Sequence, residues 1–224
     1  MILQKLSFNF LLRMKHFKNI NTLIFDFGGV IINLDLPQCI LNFKNLGIEN
    51  IEQHLSNFGQ SGFFLDFEKG NIGVKEFRSE IHKLAPDSVS DSQIDDAWCS
   101  FLCDIPSEKI ELLAALKKRF RIVLLSNTNP LHIEVSAAGE FAKVGKNISD
   151  FFDKCYLSYE MKMAKPDAEI FESLLASEHV MANRCLFLDD GLKNIEQAKN
   201  LGIQTYLVDQ REDLSFLLND ETWL

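Results

Sequence analysis

The chain predicts an α/β fold: a Rossmann-like, doubly wound parallel sheet with a helical segment inserted after its first strand. Three observations predict it. Short runs rich in Ile, Val, Leu and Phe recur along the sequence and read as strands buried on both faces, the habit of parallel sheets. Helical apolar patterns alternate with the later runs, which implies crossover connections and helices on both faces of the sheet. Finally, three runs end on polar residues, namely Asp26, Ser126 and the Asp189-Asp190 pair. In an open α/β sheet, ligands sit beyond the carboxyl ends of the strands, so these residues are expected to share one crevice.

Taken in order, the first eighteen residues are apolar and basic with little acid, and read as an N-terminal extension, 1–18, a disordered or loosely docked tail, with an anchor as the alternative. A cleaved signal peptide needs small residues after its apolar stretch; Arg13, Met14, Lys15 and His16 stand there instead, and Met14 is a candidate start. No segment reaches the ~20 apolar residues that a membrane span needs. The strand candidates are Thr22–Asp26, Arg121–Ser126, Lys154–Ser158, Cys185–Asp189 and Gln204–Val208. Between the later ones lie helical patterns over Glu108–Lys118, Ala168–Ser177 and Ile195–Leu201, the last stopped by Gly202.

From about Pro37 to Ile105 the rhythm changes. Cys39, Ile40, Phe43 and Leu46 recur at helical spacing, as do Val74, Phe77, Ile81 and Leu84, and then Ile94, Ala97, Trp98, Phe101 and Leu102. So long a stretch is not a connecting loop. The expected organisation is an α/β core over 19–35 and 106–224 with a helical cap over 36–105. Phe63, Phe64 and Phe67 read as core of that cap, with a substrate-pocket wall as the alternative.

A chain of 224 residues is long enough to bury a full core. Its net charge of -9 argues against nucleic-acid and anionic-membrane surfaces as partners. Five cysteines without framework spacing point to a reducing, cytoplasmic setting. Cys99 and Cys103 lie one helical turn apart but have no CxxC or histidine pair beside them, so they read as packing, and Cys155 and Cys185 as core. His54, His82, His132 and His179 are isolated and read as structural or surface. The sequence does not fix the oligomeric state.

Each candidate site residue has a structural alternative. The Asp189-Asp190 pair could be a turn capping the next helix, Ser126 a helix N-cap, Lys165 of MAKPD a solvated lysine before a proline, and Asn194 an exposed helix residue. Their combination favours chemistry, because one crevice would hold an acid, a hydroxyl, an acid pair and an ammonium. Adjacent carboxylates without a cation raise each other's pKa, which argues separately for a metal. A dinucleotide site is excluded, since DFGGVI lacks the spaced glycines that admit a pyrophosphate.

With these motifs in this order, the chain from about Asn21 to Asp209 resembles the haloacid dehalogenase superfamily of Mg-dependent phosphohydrolases. It is most similar to the branch with an FD-x-G-[GN]-V first motif, an SNT second motif and a DD-x3-N fourth motif, which includes bacterial phosphatases acting on glucose 1-phosphate. The resemblance implies Asp26 as the nucleophile that forms an aspartyl-phosphate. It implies Mg²⁺ held by Asp26, Asp190 and the Gly28 carbonyl, with Asp189 orienting and Asn194 supporting. Ser126 and the Asn127 backbone N–H would bind the phosphoryl group, and Lys165 would neutralise it. One departure stands out: the usual second aspartate of the first motif, the general acid, is Gly28 here. A general acid typically supplies ~10²–10⁴-fold, so its loss suits a weakly basic leaving group. The expected substrate is therefore a small phosphorylated metabolite, a sugar phosphate with an anomeric phosphate favoured. Asp35, near the same turn, is a candidate replacement acid. Two rival readings are a metal-independent 2-haloacid dehalogenase and a non-catalytic binding or regulatory protein of the same fold.

Overall fold

The structure is a computed structural model that describes residues 16–55 and 61–223. Five parallel strands form one sheet in the order β3-β2-β1-β4-β5: β1 Thr22–Phe25, β2 Arg121–Ser126, β3 Lys154–Leu157, β4 Cys185–Asp189 and β5 Gln204–Leu207. β1 is central and pairs on both sides, with Phe25 level with Leu124 of β2 and Leu188 of β4. This register brings Asp26, Ser126 and Asp189 to the same edge of the sheet. β1, β3 and β5 each end one residue earlier than the sequence reading.

Side chains alternate between the faces, as the strand period requires. Leu23 and Phe25 enter one apolar cluster with Leu112, Leu113 and Leu116. Ile24 enters another with Ile170, Phe171, Leu174 and Ala198. Helices therefore cover both faces, and the doubly wound α/β expectation holds.

The segment between β1 and β2 is helical: α1 Leu36–Asn45, α2 Phe63–Glu68, α3 Val74–His82 and α4 Asp91–Cys99. α1 begins where Asp35 caps it, the carboxylate accepting from the Gln38 N–H at 2.9 Å, with Pro37 in its first turn. Ser90 and Gln93 form a reciprocal capping box on α4. These helices enclose their own apolar cluster, in which Phe67 stacks on Phe77 at 4.3 Å and Phe64 meets Trp98 at 5.0 Å. Phe64 and Phe67 are fully buried, so they are core and not a pocket wall. Leu34 pairs with Leu102 where the chain leaves and re-enters the sheet.

Three longer helices follow among shorter ones: α5 Ser107–Leu116, then α6 Ala168–Glu178 and α7 Leu192–Asn200 after β3 and β4 respectively. α7 starts three residues before the predicted Ile195, because the strand-end loop before it is fixed by Asp189. Phe17, within the expected loose extension, is buried against Tyr206 and Trp223. Residues 1–15 of that extension, Met14 included, lie outside the described residues. Among the described residues no helix is long and apolar enough to cross a membrane.

Candidate active site

The site is assembled at the carboxyl edge of β1, β2 and β4. Asp26 follows β1 and continues the ladder through its N–H to the Leu188 carbonyl at 2.9 Å. Its Oδ1 accepts from the Phe27 N–H at 2.7 Å and from Lys165 Nζ at 2.8 Å. The same ammonium donates to Asp189 Oδ2 at 2.6 Å. The Lys165 side chain is 1 % exposed and that of Asp189 is fully buried. Lys165 is therefore a buried bridge between two carboxylates, not a solvated lysine before a proline.

What holds Lys165 there is Asn127. Its Nδ2 donates to the Lys165 carbonyl and its Oδ1 accepts from the Lys165 N–H, both at 2.8 Å. This two-point clamp ties the loop after β2 to the loop carrying Lys165, and the Lys165-Pro166 peptide is cis. The sequence pattern assigns Asn127 only its backbone N–H; a side-chain clamp leaves no signal in spacing. Ser126 is buried, and its hydroxyl makes only a long 3.5 Å contact with the Asn127 carbonyl, which leaves it available to a ligand.

Asp189 and Asp190 divide their tasks. Asp189 Oδ1 accepts from the Gly191 N–H at 2.7 Å and from Asn194 Nδ2 at 2.9 Å, so both of its oxygens are engaged by protein. Asp190 lies against the turn after β1. Gly29 there has φ +73°, and a Cβ on it would fall 2.2 Å from Asp190 Oδ2. Glycine is required twice over, by the left-handed backbone and by the close approach. Gly28, next to it, faces Leu34: a Cβ would meet that side chain at 3.3 Å. Leucine occupies the space into which a longer side chain at this position would project.

Asp26, Asp189 and Asp190 bring carboxylate oxygens within 4.8 Å of one another. With Lys165 as the neighbouring cation, the ionised cluster carries a net charge of about -2, the deficit that one divalent cation fills. The pKa pattern agrees. Burial drives the Asp26 carboxyl well above its ordinary range, against the pull of Lys165 and with the push of Asp189 and Asp190. Burial, then Asp189, lifts Asp190 to about 6. Burial lowers the Lys165 ammonium, but the carboxylates of Asp189 and Asp26 outweigh it and hold its pKa above the ordinary value.

A cavity of about 60 Å³ opens over this cluster, lined by Asp26, Gly28, Ser126, Asn127, Lys165, Asp190 and Asn194, together with Leu34, Glu68, Phe101 and His132. Two of the last four residues are titratable: His132 is structural, in keeping with its isolation in the sequence, and Glu68 is one that the sequence does not single out. His132 stacks on Trp98 at 4.4 Å and its Nε2 donates to the Trp98 carbonyl at 3.2 Å. Burial pushes its pKa down to about 4, so it is neutral and locks the inserted helices to the core. Glu68 ends α2, is 5 % exposed, and is lifted by burial to about 8 against the pull of Lys165. An acid within LDFEKG resembles any solvated helix residue, and only tertiary packing buries it. Asp35, the candidate replacement acid, is not at the site: it caps α1 and does not line the cavity.

A haloacid dehalogenase-like hydrolase model matches residues 20–202. The chain belongs to this family. Haloacid dehalogenase-like relatives include D-ribitol-5-phosphate phosphatase of Bacteroides thetaiotaomicron, 34% identical over 204 residues, with 89% of this chain and 99% of the relative covered. A crystal structure of a family enzyme from the same organism, in complex with magnesium and inorganic phosphate, is 44% identical with TM-score 0.84, covering 89% of this chain and 100% of that one. A predicted hydrolase of the family from Porphyromonas gingivalis is 34% identical with TM-score 0.83, covering 90% and 99%.

Proposed function

We propose that this protein is a Mg²⁺-dependent phosphohydrolase that releases phosphate from a small sugar or polyol phosphate through an aspartyl-phosphate. The observation that carries the reading is the buried Asp26–Lys165–Asp189 bridge with Asp190 beside it at the strand edge. The residues fit a divalent cation: the three carboxylates lie close together, their charge exceeds that of Lys165, and Gly29 makes room for Asp190. Asp26, Asp190 and the Gly28 carbonyl would hold the ion. Asp189, with both oxygens engaged, orients Lys165 and Asn194 from behind. Bound Mg²⁺ would offset the repulsion between a carboxylate and a phosphate dianion.

The chain's own groups account for the rest. The Asp26 oxygen not held by Lys165 and Phe27 attacks phosphorus, which divides one difficult displacement into two easier ones. Ser126 Oγ donates to a phosphoryl oxygen, and the Lys165 ammonium compensates charge that develops there. Asn127 positions that ammonium. The helices over 36–105 act as the cap that closes the cavity and selects the leaving group.

A glycine at position 28 favours a weakly basic leaving group, hence an anomeric phosphate. The relative named for D-ribitol 5-phosphate supports a primary-alcohol ester instead. A direct competition between glucose 1-phosphate and D-ribitol 5-phosphate separates the two. A 2-haloacid dehalogenase is disfavoured by the three-carboxylate cluster, and a non-catalytic role by the retention of Asp26, Ser126, Lys165 and Asp190 in one cavity.

The test is phosphate release from a panel of esters with Mg²⁺ and with EDTA, for wild type and Asp26→Asn. Turnover that requires the metal and disappears in the variant is expected. Metal-independent halide release from a 2-haloacid, or no turnover of any ester, refutes the reading.

A further inference from the structure

The first motif places glycine where a proton donor to the leaving group would stand, and Leu34 fills the space beside it. In-line displacement at phosphorus puts the leaving oxygen opposite Asp26, on the side of the cavity formed by the inserted helices. One titratable side chain of α2 lines that side: Glu68. Its backbone is fixed by the Ser158 hydroxyl, which donates to the Glu68 carbonyl at 2.6 Å and accepts from the Thr128 N–H at 2.9 Å. Thr128 follows the Ser126-Asn127 loop, so the same hydroxyl ties Glu68 to the phosphate-binding edge. Among the described residues, no side chain hydrogen-bonds its carboxyl.

We infer that Glu68 is the general acid–base of the proposed reaction, delivered by the inserted helices in place of the residue missing at Gly28. The inference rests on the phosphohydrolase reading. As Asp26 attacks and the bond from phosphorus to the leaving oxygen breaks, the Glu68 carboxyl transfers its proton to that oxygen and becomes a carboxylate. In the second half, water attacks phosphorus, the bond to Asp26 breaks, and the water's proton returns to Glu68. Protons and charge balance over the cycle without a further reactant.

The site is suited to this chemistry. Burial lifts the Glu68 carboxyl to about 8, so it holds a proton at neutral pH, while Lys165 favours the anion it becomes. Other titratable and charged groups nearby are engaged: His132, which lines the same cavity, donates to the Trp98 carbonyl. Lys69 pairs with Asp167 at 3.3 Å, Lys162 is held by the Gly70 carbonyl, and Arg78 of α3 is paired with Asp95. An acid of this kind also removes the need for a weakly basic leaving group.

Glu68→Gln keeps the shape and removes the proton. Turnover of D-ribitol 5-phosphate should fall roughly 10²–10⁴-fold, the range of general acid catalysis. First-turnover release of p-nitrophenol from p-nitrophenyl phosphate, whose leaving group is weakly basic, should fall by a factor about tenfold smaller or less. The wild-type activity on the alkyl ester should decline as pH rises through about 8, and the variant should lack that limb. A thermal shift with Mg²⁺ plus inorganic phosphate reports whether the variant site is folded. If it is not, the wild-type pH profiles carry the test: the basic limb should appear with the alkyl ester and not in aryl first-turnover rates. Equal losses on the two esters, or a limb shared by both, overturn the inference while leaving the phosphohydrolase intact. Wild type inactive on every ester instead refutes the phosphohydrolase itself.

Discussion

Lys165→Met tests the centre of the site most directly. The substitution keeps an unbranched chain of similar length and removes the ammonium that bridges Asp26 at 2.8 Å and Asp189 at 2.6 Å. The side chains of Lys165 and Asp189 are 1 % and 0 % exposed, so solvent cannot take the place of the lost charge. Breaking a buried ion pair by removing one partner costs about 3–5 kcal/mol. For a chain of this length that corresponds to a fall in Tm of roughly 6–20 °C. The loss should depend on pH, with a definite sign. Burial already raises the folded-state pKa of Asp26, and losing the lowering pull of Lys165 raises it further. A carboxyl whose pKa is raised on folding is least harmful when protonated in both states, and its penalty grows as pH rises above the ordinary aspartate range. The defect should therefore be mild in acid and largest at alkaline pH. Mg²⁺ should recover part of it, because a ligand that binds only the folded state stabilises it by mass action, by about 2.7 kcal/mol at a hundred times its Kd. Denaturant unfolding in EDTA and in Mg²⁺, across pH, is the assay. A loss below about 1 kcal/mol in EDTA at alkaline pH, or a loss independent of pH, would refute the view of Lys165 as the buried counter-ion.

Two smaller substitutions probe the turn after β1 and its neighbour. Gly29→Ala meets a left-handed backbone at φ +73° and an oxygen of Asp190 at 2.2 Å. A cost of about 1–2 kcal/mol from the backbone should be accompanied by displacement of Asp190. Mg²⁺ affinity, followed by calorimetry, should fall more than stability does; unchanged affinity would exclude Asp190 as a ligand. Asp35→Ala should cost about 1 kcal/mol, the usual value of an N-cap, and leave kcat within a few-fold. A loss of two orders of magnitude in kcat would return Asp35 to the role of acid.

How much of this was legible in the sequence follows from the range of the forces involved. The strands were legible because each is a short apolar run rich in β-branched or aromatic residues. The polar residue closing the first, second and fourth marks the level at which the sheet ends. The sequence alone thus places Asp26, Ser126 and Asp189 together, since parallel register sets them at one edge. The helical character of 36–105 was equally plain from its periodicity.

What tertiary structure alone decided is the state of individual side chains. Sequence could not distinguish a solvated Lys165 from a bridging one, because burial depends on how three loops converge. Nor could it show the Asn127 clamp, which joins residues 38 positions apart. Glu68 is the clearest case. Locally it is one more acid on a short helix, and it becomes a buried acid lining the same cavity as Asp26 only because of how the inserted helices pack. Local pattern fixes which residues meet a strand or helix period; desolvation and pairing, which set charge and reactivity, are properties of the packed whole.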